Sequence, residues 1–227
     1  MKNYSEEFKQ ILETENKEKS VEYALALLND KKIDVIALYS EILAPALNNM
    51  YCSLSDKNVC IWKEHVRTAI VRTIVECCYP YVIDKRNKDN TAEKGTAVIL
   101  CPPEEYHDLG ARMVADFLTI SGYNAVFVGS NTPYSDFYNA VEKIKPDLIA
   151  ISVSNYYNLV VTKKIIEDLR KKTDSKIIVG GYAFSMNSDN AFMVGADYYA
   201  ETFENIKNIV EKEAKIWSWA LILQQGF

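Results

Sequence analysis

The feature that most constrains this chain is a change of hydrophobic period near residue 90. Beyond it, short runs rich in β-branched residues recur with amphipathic stretches between them. They are Thr96-Ala97-Val98-Ile99-Leu100, Ala125-Val126-Phe127-Val128, Leu148 to Val153, Lys176-Ile177-Ile178-Val179 and, more weakly, Asp197-Tyr198-Tyr199-Ala200. Runs without polar alternation are buried on both faces, and strands that alternate with helices pair in parallel through crossover connections. The pattern predicts a five-stranded parallel sheet with helices near 108–121, 134–144, 158–172, 185–193 and 203–214. Ligands of such sheets bind beyond the carboxyl ends of the strands, so the loops that follow the strands hold the candidate site. The apolar tail Ile216 to Leu223 is expected to pack as a last helix or at an interface.

Before residue 90 the period is helical: Val21, Ala24, Leu27, Leu28 and then Ile36, Leu38, Ile42, Leu43 recur at helical spacing. Helices are expected near 4–14, 18–29, 33–50 and 60–84, with turn-like breaks at 29–32 and 53–58. The polar stretch Asp84 to Thr91 reads as a linker. It divides a helical bundle cap over 1–88 from an α/β domain over 89–227.

With 26 basic and 31 acidic side chains the net charge is −5. That removes the broad positive field of a sequence-independent nucleic-acid binder, so no direct nucleic-acid partner is expected. Hydrophobic residues at 48% and charged residues at 25% suit a globular protein rather than a disordered one. The opening MKNYSEEFKQ has no apolar core of a leader, and no run approaches the roughly 18 residues of a membrane span, so a cytoplasmic protein is expected. Five cysteines without a C-x-x-C pair favour reduced, mostly buried thiols over a disulfide framework or a zinc site.

The segment after the first predicted strand is Cys101-Pro102-Pro103-Glu104-Glu105-Tyr106-His107-Asp108-Leu109-Gly110. His107, one of only two histidines, lies on a strand-to-helix loop with Glu105 two residues before it and Gly110 three after. An imidazole there can present one ring nitrogen to a metal while Glu105 accepts the other ring N–H and fixes the tautomer. A surface or helix-capping histidine is the alternative, and the downstream spacing weighs against it. Forty-one residues separate Gly110 from Ser152-Val153-Ser154 at the end of the third strand, and 25 more precede Gly180-Gly181 after the fourth. Alone, the glycine pair also reads as a tight turn.

Together these residues resemble the fingerprint of the cobalamin-binding domain family: Asp-x-His-x-x-Gly, a spacer of that length, Ser-x-Leu, a second spacer and Gly-Gly. The resemblance implies a flavodoxin-like Rossmann domain that binds cobalamin base-off, its dimethylbenzimidazole displaced, with His107 as the lower cobalt ligand. It implies that Glu105, Tyr106, His107, Asp108, Leu109 and Gly110 form the cofactor loop and that Ser152 and Ser154 border a slot for the nucleotide tail. Gly180 and Gly181 would let that tail pass where any Cβ would collide. Two positions depart from the family pattern: Glu105 replaces its aspartate and Ser154 its leucine. Glu105 is one methylene longer, so it reaches His107 only with an altered backbone or rotamer.

The phrase Glu105-x-His107-x-Leu109-Gly110, with Val128-Gly129-Ser130-Asn131-Thr132-Pro133, looks more like the cobalamin domains of light-responsive and antirepressor regulators than like methyl carriers. In the helical half, Trp62-Lys63-Glu64-His65 is followed by Val66, Ala69, Ile70, Thr73 and Ile74 on one apolar face. A Glu-His pair in that helix is similar to one in both corrinoid carriers and cobalamin photoreceptors, and implies that Glu64 and His65 face the upper side of the corrin. The photoreceptors' upstream tryptophan falls here on Leu54, with Met50-Tyr51 as the other candidates. The resemblance therefore implies a corrinoid carrier subunit, a methyl-group shuttle between methyltransferase partners. The alternative is a cobalamin-dependent sensor or antirepressor acting on a regulator partner. An isomerase small subunit would be the α/β domain alone, and the helical half counts against it.

Overall fold

The structure is a computed structural model, described for residues 2–48 and 58–224, with side chains for 3–48 and 58–213. Its contacts divide the chain into two compact units, Met1–Asp89 and Asn90–Phe227.

The first unit is helical: α1 (Lys2–Glu13), α2 (Lys17–Asn29), α3 (Val35–Ala37), a π-helical stretch (Leu38–Leu43), α4 (Ala44–Asn48), α5 (Cys60–Cys77) and α6 (Tyr79–Lys88). Asn16 and Asp34 start α2 and α3 by accepting the amides of Lys19 and Ala37, at 3.0 and 2.9 Å. The helix expected over 33–50 is thus not uniform. Pro45 has no N–H for the Glu41 carbonyl, and the Ala44 amide reaches back to Tyr39 O in a π turn.

The single helix expected over 60–84 breaks at Cys78. Pro80 cannot donate to the carbonyl four residues back, but it suits the first turn of a new helix, where no donor is needed. Nor is 84–91 a linker throughout. α6 runs to Lys88, its polar residues paired along an exposed face as Lys88–Asp84 and Lys85–Asp89. The buried face of α5 is Ile70, Val71, Ile74 and Val75, so the expected face is only partly right: Ala69 is exposed and the Thr73 hydroxyl donates to its carbonyl at 3.1 Å. These residues share a core with Phe8, Leu12, Leu38, Ile42 and Leu43, and the buried Tyr39 hydroxyl donates to Val75 O at 3.2 Å. The expectation of reduced, mostly buried thiols also fails in part. Cys60 is disulfide-bonded, and Cys77, though outside any disulfide, is exposed; Cys78 and Cys101 are buried thiols outside any disulfide. Cys52 and the tryptophan candidates Met50, Tyr51 and Leu54 lie outside the described residues.

The second unit alternates strand and helix: β1 (Thr96–Leu100), α7 (Leu109–Ile120), β2 (Asn124–Gly129), α8 (Tyr134–Ile144), β3 (Leu148–Ser152), α9 (Asn158–Leu169), β4 (Lys176–Gly180), α10 (Tyr182–Ser185), α11 (Asp189–Met193), β5 (Tyr198–Tyr199) and α12 (Phe203–Gln224). The sheet is five-stranded and all parallel, in the order β2-β1-β3-β4-β5. The helix expected over 185–193 is two short ones, and the last helix continues through the apolar tail. Val98, Leu100, Ile149, Ile151, Ile177 and Val179 pack one face of the sheet against Phe137 and Val141 of α8 and Ile165, Ile166 and Leu169 of α9. Alternate residues of the same strands, Ala97, Ile99 and Ile178, are equally buried, which is why these runs show no polar alternation. The strand order reverses between β1 and β3, so the crevice at their carboxyl ends is the topological switch point. Among the described residues no helix is long and apolar enough to cross a membrane.

Candidate cofactor site

The loop from β1 to α7 crosses this switch point. Its Glu105 side chain is 1% exposed and its His107 side chain 66% exposed, so the carboxylate is the anchor and the imidazole the presented group. Glu105 Oε1 lies 2.9 Å from His107 Nδ1 and accepts the His107 amide at 3.2 Å. Oε2 accepts the amides of Ser154 and Asn155 at 2.9 and 2.8 Å and the side-chain amide of Asn158 at 3.1 Å. One carboxylate therefore binds the loop after β1 to the loop after β3. Burial alone would push this carboxyl up. The Asn155 amide, the His107 ring, the Asn158 side chain and the His107 amide outweigh burial and hold it below the usual range, ionised at neutral pH. Since an ionised carboxylate only accepts, Nδ1 of His107 carries a proton, and the neutral form of the ring has its lone pair on Nε2. Glu104, just before the anchor, takes φ +63°, a left-handed conformation.

The other expected residues fall around this pair. Asp108 and Leu109 are buried at the start of α7, and Tyr106 is 66% exposed. At Gly110, in the first turn of α7, an added Cβ would meet nothing within 4 Å. Ser152 ends β3, half-buried, in register with Gly180, and Ser154 joins the cluster through its main-chain amide. The glycine pair answers to the protein's own backbone. A Cβ at Gly180 would lie 2.5 Å from Ala200 O. At Gly181, with φ +100°, it would lie 2.5 Å from Val153 O and 2.9 Å from Val153 N. A side chain at Gly181 would strike the main chain at the end of β3 whether or not a nucleotide tail passes there, so the fold itself already demands glycine at this position. Glu64 and His65 are exposed on α5, in the helical unit.

Sequence reasoning missed Asn155 and Asn158 altogether and gave Asn131 no role. Each is an asparagine at a strand-to-helix turn, where this residue type bonds nearby main chain, and only that weak signal was present. Among the described residues no three His, Cys, Asp or Glu side chains converge on a metal position. Burial, with Asp108 and Glu105 nearby, pushes the Cys101 thiol up to about 12, so it is no thiolate ligand at neutral pH. A lone exposed imidazole fits a metal that arrives with most of its ligands already in place, as cobalt does in a corrin.

Comparison with known proteins agrees with this geometry. Trimethylamine corrinoid protein 1 of Methanosarcina mazei is 30% identical over 130 residues, 56% of this chain and 59% of that protein. The HTH-type transcriptional repressor CarA of Myxococcus xanthus is 25% identical over 176 residues, 77% of this chain and 57% of that protein. The chain thus matches less than two thirds of the length of either relative. The solved Methanosarcina barkeri monomethylamine corrinoid protein shares the fold, with a TM-score of 0.78 at 16% identity over 92% of this chain and 97% of that one. The model of the B12 binding domain matches residues 95–210, just over half of the chain. A five-stranded sheet in flavodoxin-like order, with a histidine fixed by a buried carboxylate at its switch point, thus belongs to a member of the B12-binding domain family, whose cofactor is cobalamin.

Proposed function

We propose that His107 is the lower cobalt ligand of a corrinoid bound base-off, and that the protein is a methyl-group carrier serving methyltransferase partners. The observation that carries the ligation is the Glu105–His107 pair, a buried, ionised carboxylate holding an exposed imidazole by Nδ1, which commits the other ring nitrogen to no partner in the pair. Corrin-bound cobalt, when present, supplies the chemistry of accepting and giving up a methyl group. The chain's own residues do the rest. Glu105 keeps the proton on Nδ1 and so keeps Nε2 a donor of its lone pair. Gly110 leaves open space in the first turn of α7, where an added Cβ would meet nothing within 4 Å. Tyr106, Asp108 and Leu109 continue the cofactor loop, and Ser152, Ser154, Gly180 and Gly181 border the passage for the nucleotide tail. Glu64 and His65, both exposed, are the helical unit's proposed contacts to the cofactor.

The carrier reading draws on the similarity to the trimethylamine corrinoid proteins. A second reading, a cobalamin-dependent sensor or antirepressor, is favoured by the similarity to CarA over 77% of the chain, a stretch longer than the B12-binding domain itself. The test uses the full chain loaded with cobalamin, reduced, and given a methyl donor with a methyltransferase. A carrier shows donor-dependent conversion of the cobalt absorption spectrum, in proportion to bound cofactor. A protein that accepts no methyl group, but whose adenosylcobalamin form alters its binding to a regulator on illumination, is a sensor.

A further inference from the structure

The loop that presents His107 is held on two sides, and only one hold belongs to the Glu105 carboxylate. The second comes from the turn after β2. Asn131 donates its main-chain amide to Glu105 O at 2.9 Å, and its side-chain Oδ1 accepts the Glu104 amide at 2.9 Å. Both partners of the side-chain bond are non-glycine residues in the left-handed region, Glu104 at φ +63° and Asn131 at φ +47°. Such conformations persist where the surroundings over-determine them, and here each residue holds the other. Pro102 O accepts the Glu105 amide at 3.1 Å, so the main chain at Glu105 is bonded at both its N–H and its C=O. The turn is itself braced: the buried Thr132 hydroxyl donates to Gly129 O at 3.2 Å, and Gly129 O also accepts the Cys101 amide at 3.0 Å.

We infer that Asn131 is a positioning residue for His107, acting through the backbone of Glu104 and Glu105. The Glu105 carboxylate fixes the ring by Nδ1, but it can aim Nε2 only if its own main chain is fixed, and Asn131 supplies that from the opposite side of the loop. Left-handed backbone also explains the residue type. Asparagine tolerates φ near +50° and carries an acceptor of the right length, whereas glycine has the first property without the second.

The inference rests on His107 as the cobalt ligand, and the experiment separates the two. Full-length chain labelled with nitrogen-15 in its histidines is loaded with unlabelled cobalamin and reduced to cobalt(II), and the histidine-coordinated fraction is read from the nitrogen-15 doublet in its electron paramagnetic resonance spectrum. Asn131→Gly keeps the backbone conformation and the amide donor and removes only Oδ1. It should retain cobalamin while the ratio of coordinated to uncoordinated histidine falls about tenfold, the range for partners of metal-bound histidines. Asn131→Asp keeps an acceptor and should restore the parent spectrum. Full coordination in Asn131→Gly, with or without a lowered melting temperature, overturns the inference, as does Asn131→Asp behaving like Asn131→Gly. Should Asn131→Gly not fold, Asn131→Asp against Asn131→Ser, whose hydroxyl is too short to reach the Glu104 amide, gives the same contrast. If His107→Ala leaves the nitrogen-15 doublet unchanged, the ligand assignment fails instead.

Discussion

Gly110 and Gly181 both belong to the fingerprint, yet they answer to different demands. At Gly110 an added Cβ meets empty space in a helical turn, so the apo protein gains nothing from glycine there. Gly110→Ala should leave apo stability unchanged or raise it by about 0.5–1 kcal/mol, while weakening cobalamin binding. Urea unfolding of the free and cofactor-loaded protein checks both halves, and unchanged affinity would show that the space is not used. Glu105 is the opposite case, because both of its oxygens are committed to donors in a buried setting. Glu105→Gln turns one acceptor into a donor facing other donors, and should destabilise the apo protein by roughly 2–3 kcal/mol. Thermal unfolding without cofactor measures this, and a parent-like melting temperature would mean that the loops hold together without the carboxylate.

At the scale of elements, the ends of β3 and β4 are locked by main-chain contacts. Val153 donates to Gly180 O at 2.9 Å, Ala183 donates to Val153 O at 3.1 Å, and Gly181 sits between them at φ +100°. Gly181→Val should therefore lower the stability of the α/β unit by about 2 kcal/mol or more without any cofactor present. A variant of parent stability that loses only cobalamin would restore the tail-slot explanation. β1, β3 and β4 were legible because burial on both faces leaves unbroken apolar runs, and they fall within a residue of where those runs lie, whereas the edge strand β2 keeps an apolar run with Val126 and Val128 exposed. The break at Cys78 carried a sequence signal in Pro80, which ends or kinks a helix, but the apolar spacing continues through it and outweighed that signal. The helical character of 84–88 was not legible, because exposed i,i+4 ion pairs and a polar linker have the same composition. His107 and Glu105 were readable as neighbours in sequence. Asn158 and Asn131 were not, because they reach the loop from 53 and 27 residues away, through the parallel order of the strands.

At the scale of the whole chain, the division between the two compact units falls after Asp89, and the α/β unit contains its own buried core. Residues 90–227 expressed alone should fold and unfold in one cooperative transition by circular dichroism; a fragment without that transition would show that its core depends on the helical unit. The central claim, that a protein histidine replaces the cofactor's own base on cobalt, is tested most directly by isotope. Full-length chain labelled with nitrogen-15 in its histidines is loaded with unlabelled cobalamin and reduced to cobalt(II). Coordination by His107 predicts that the nitrogen splitting in the electron paramagnetic resonance spectrum changes from the triplet of nitrogen-14 to the doublet of nitrogen-15, and that the doublet disappears in His107→Ala. A triplet that persists in the labelled protein would mean that the cofactor's own base stays on the cobalt, and would contradict the account.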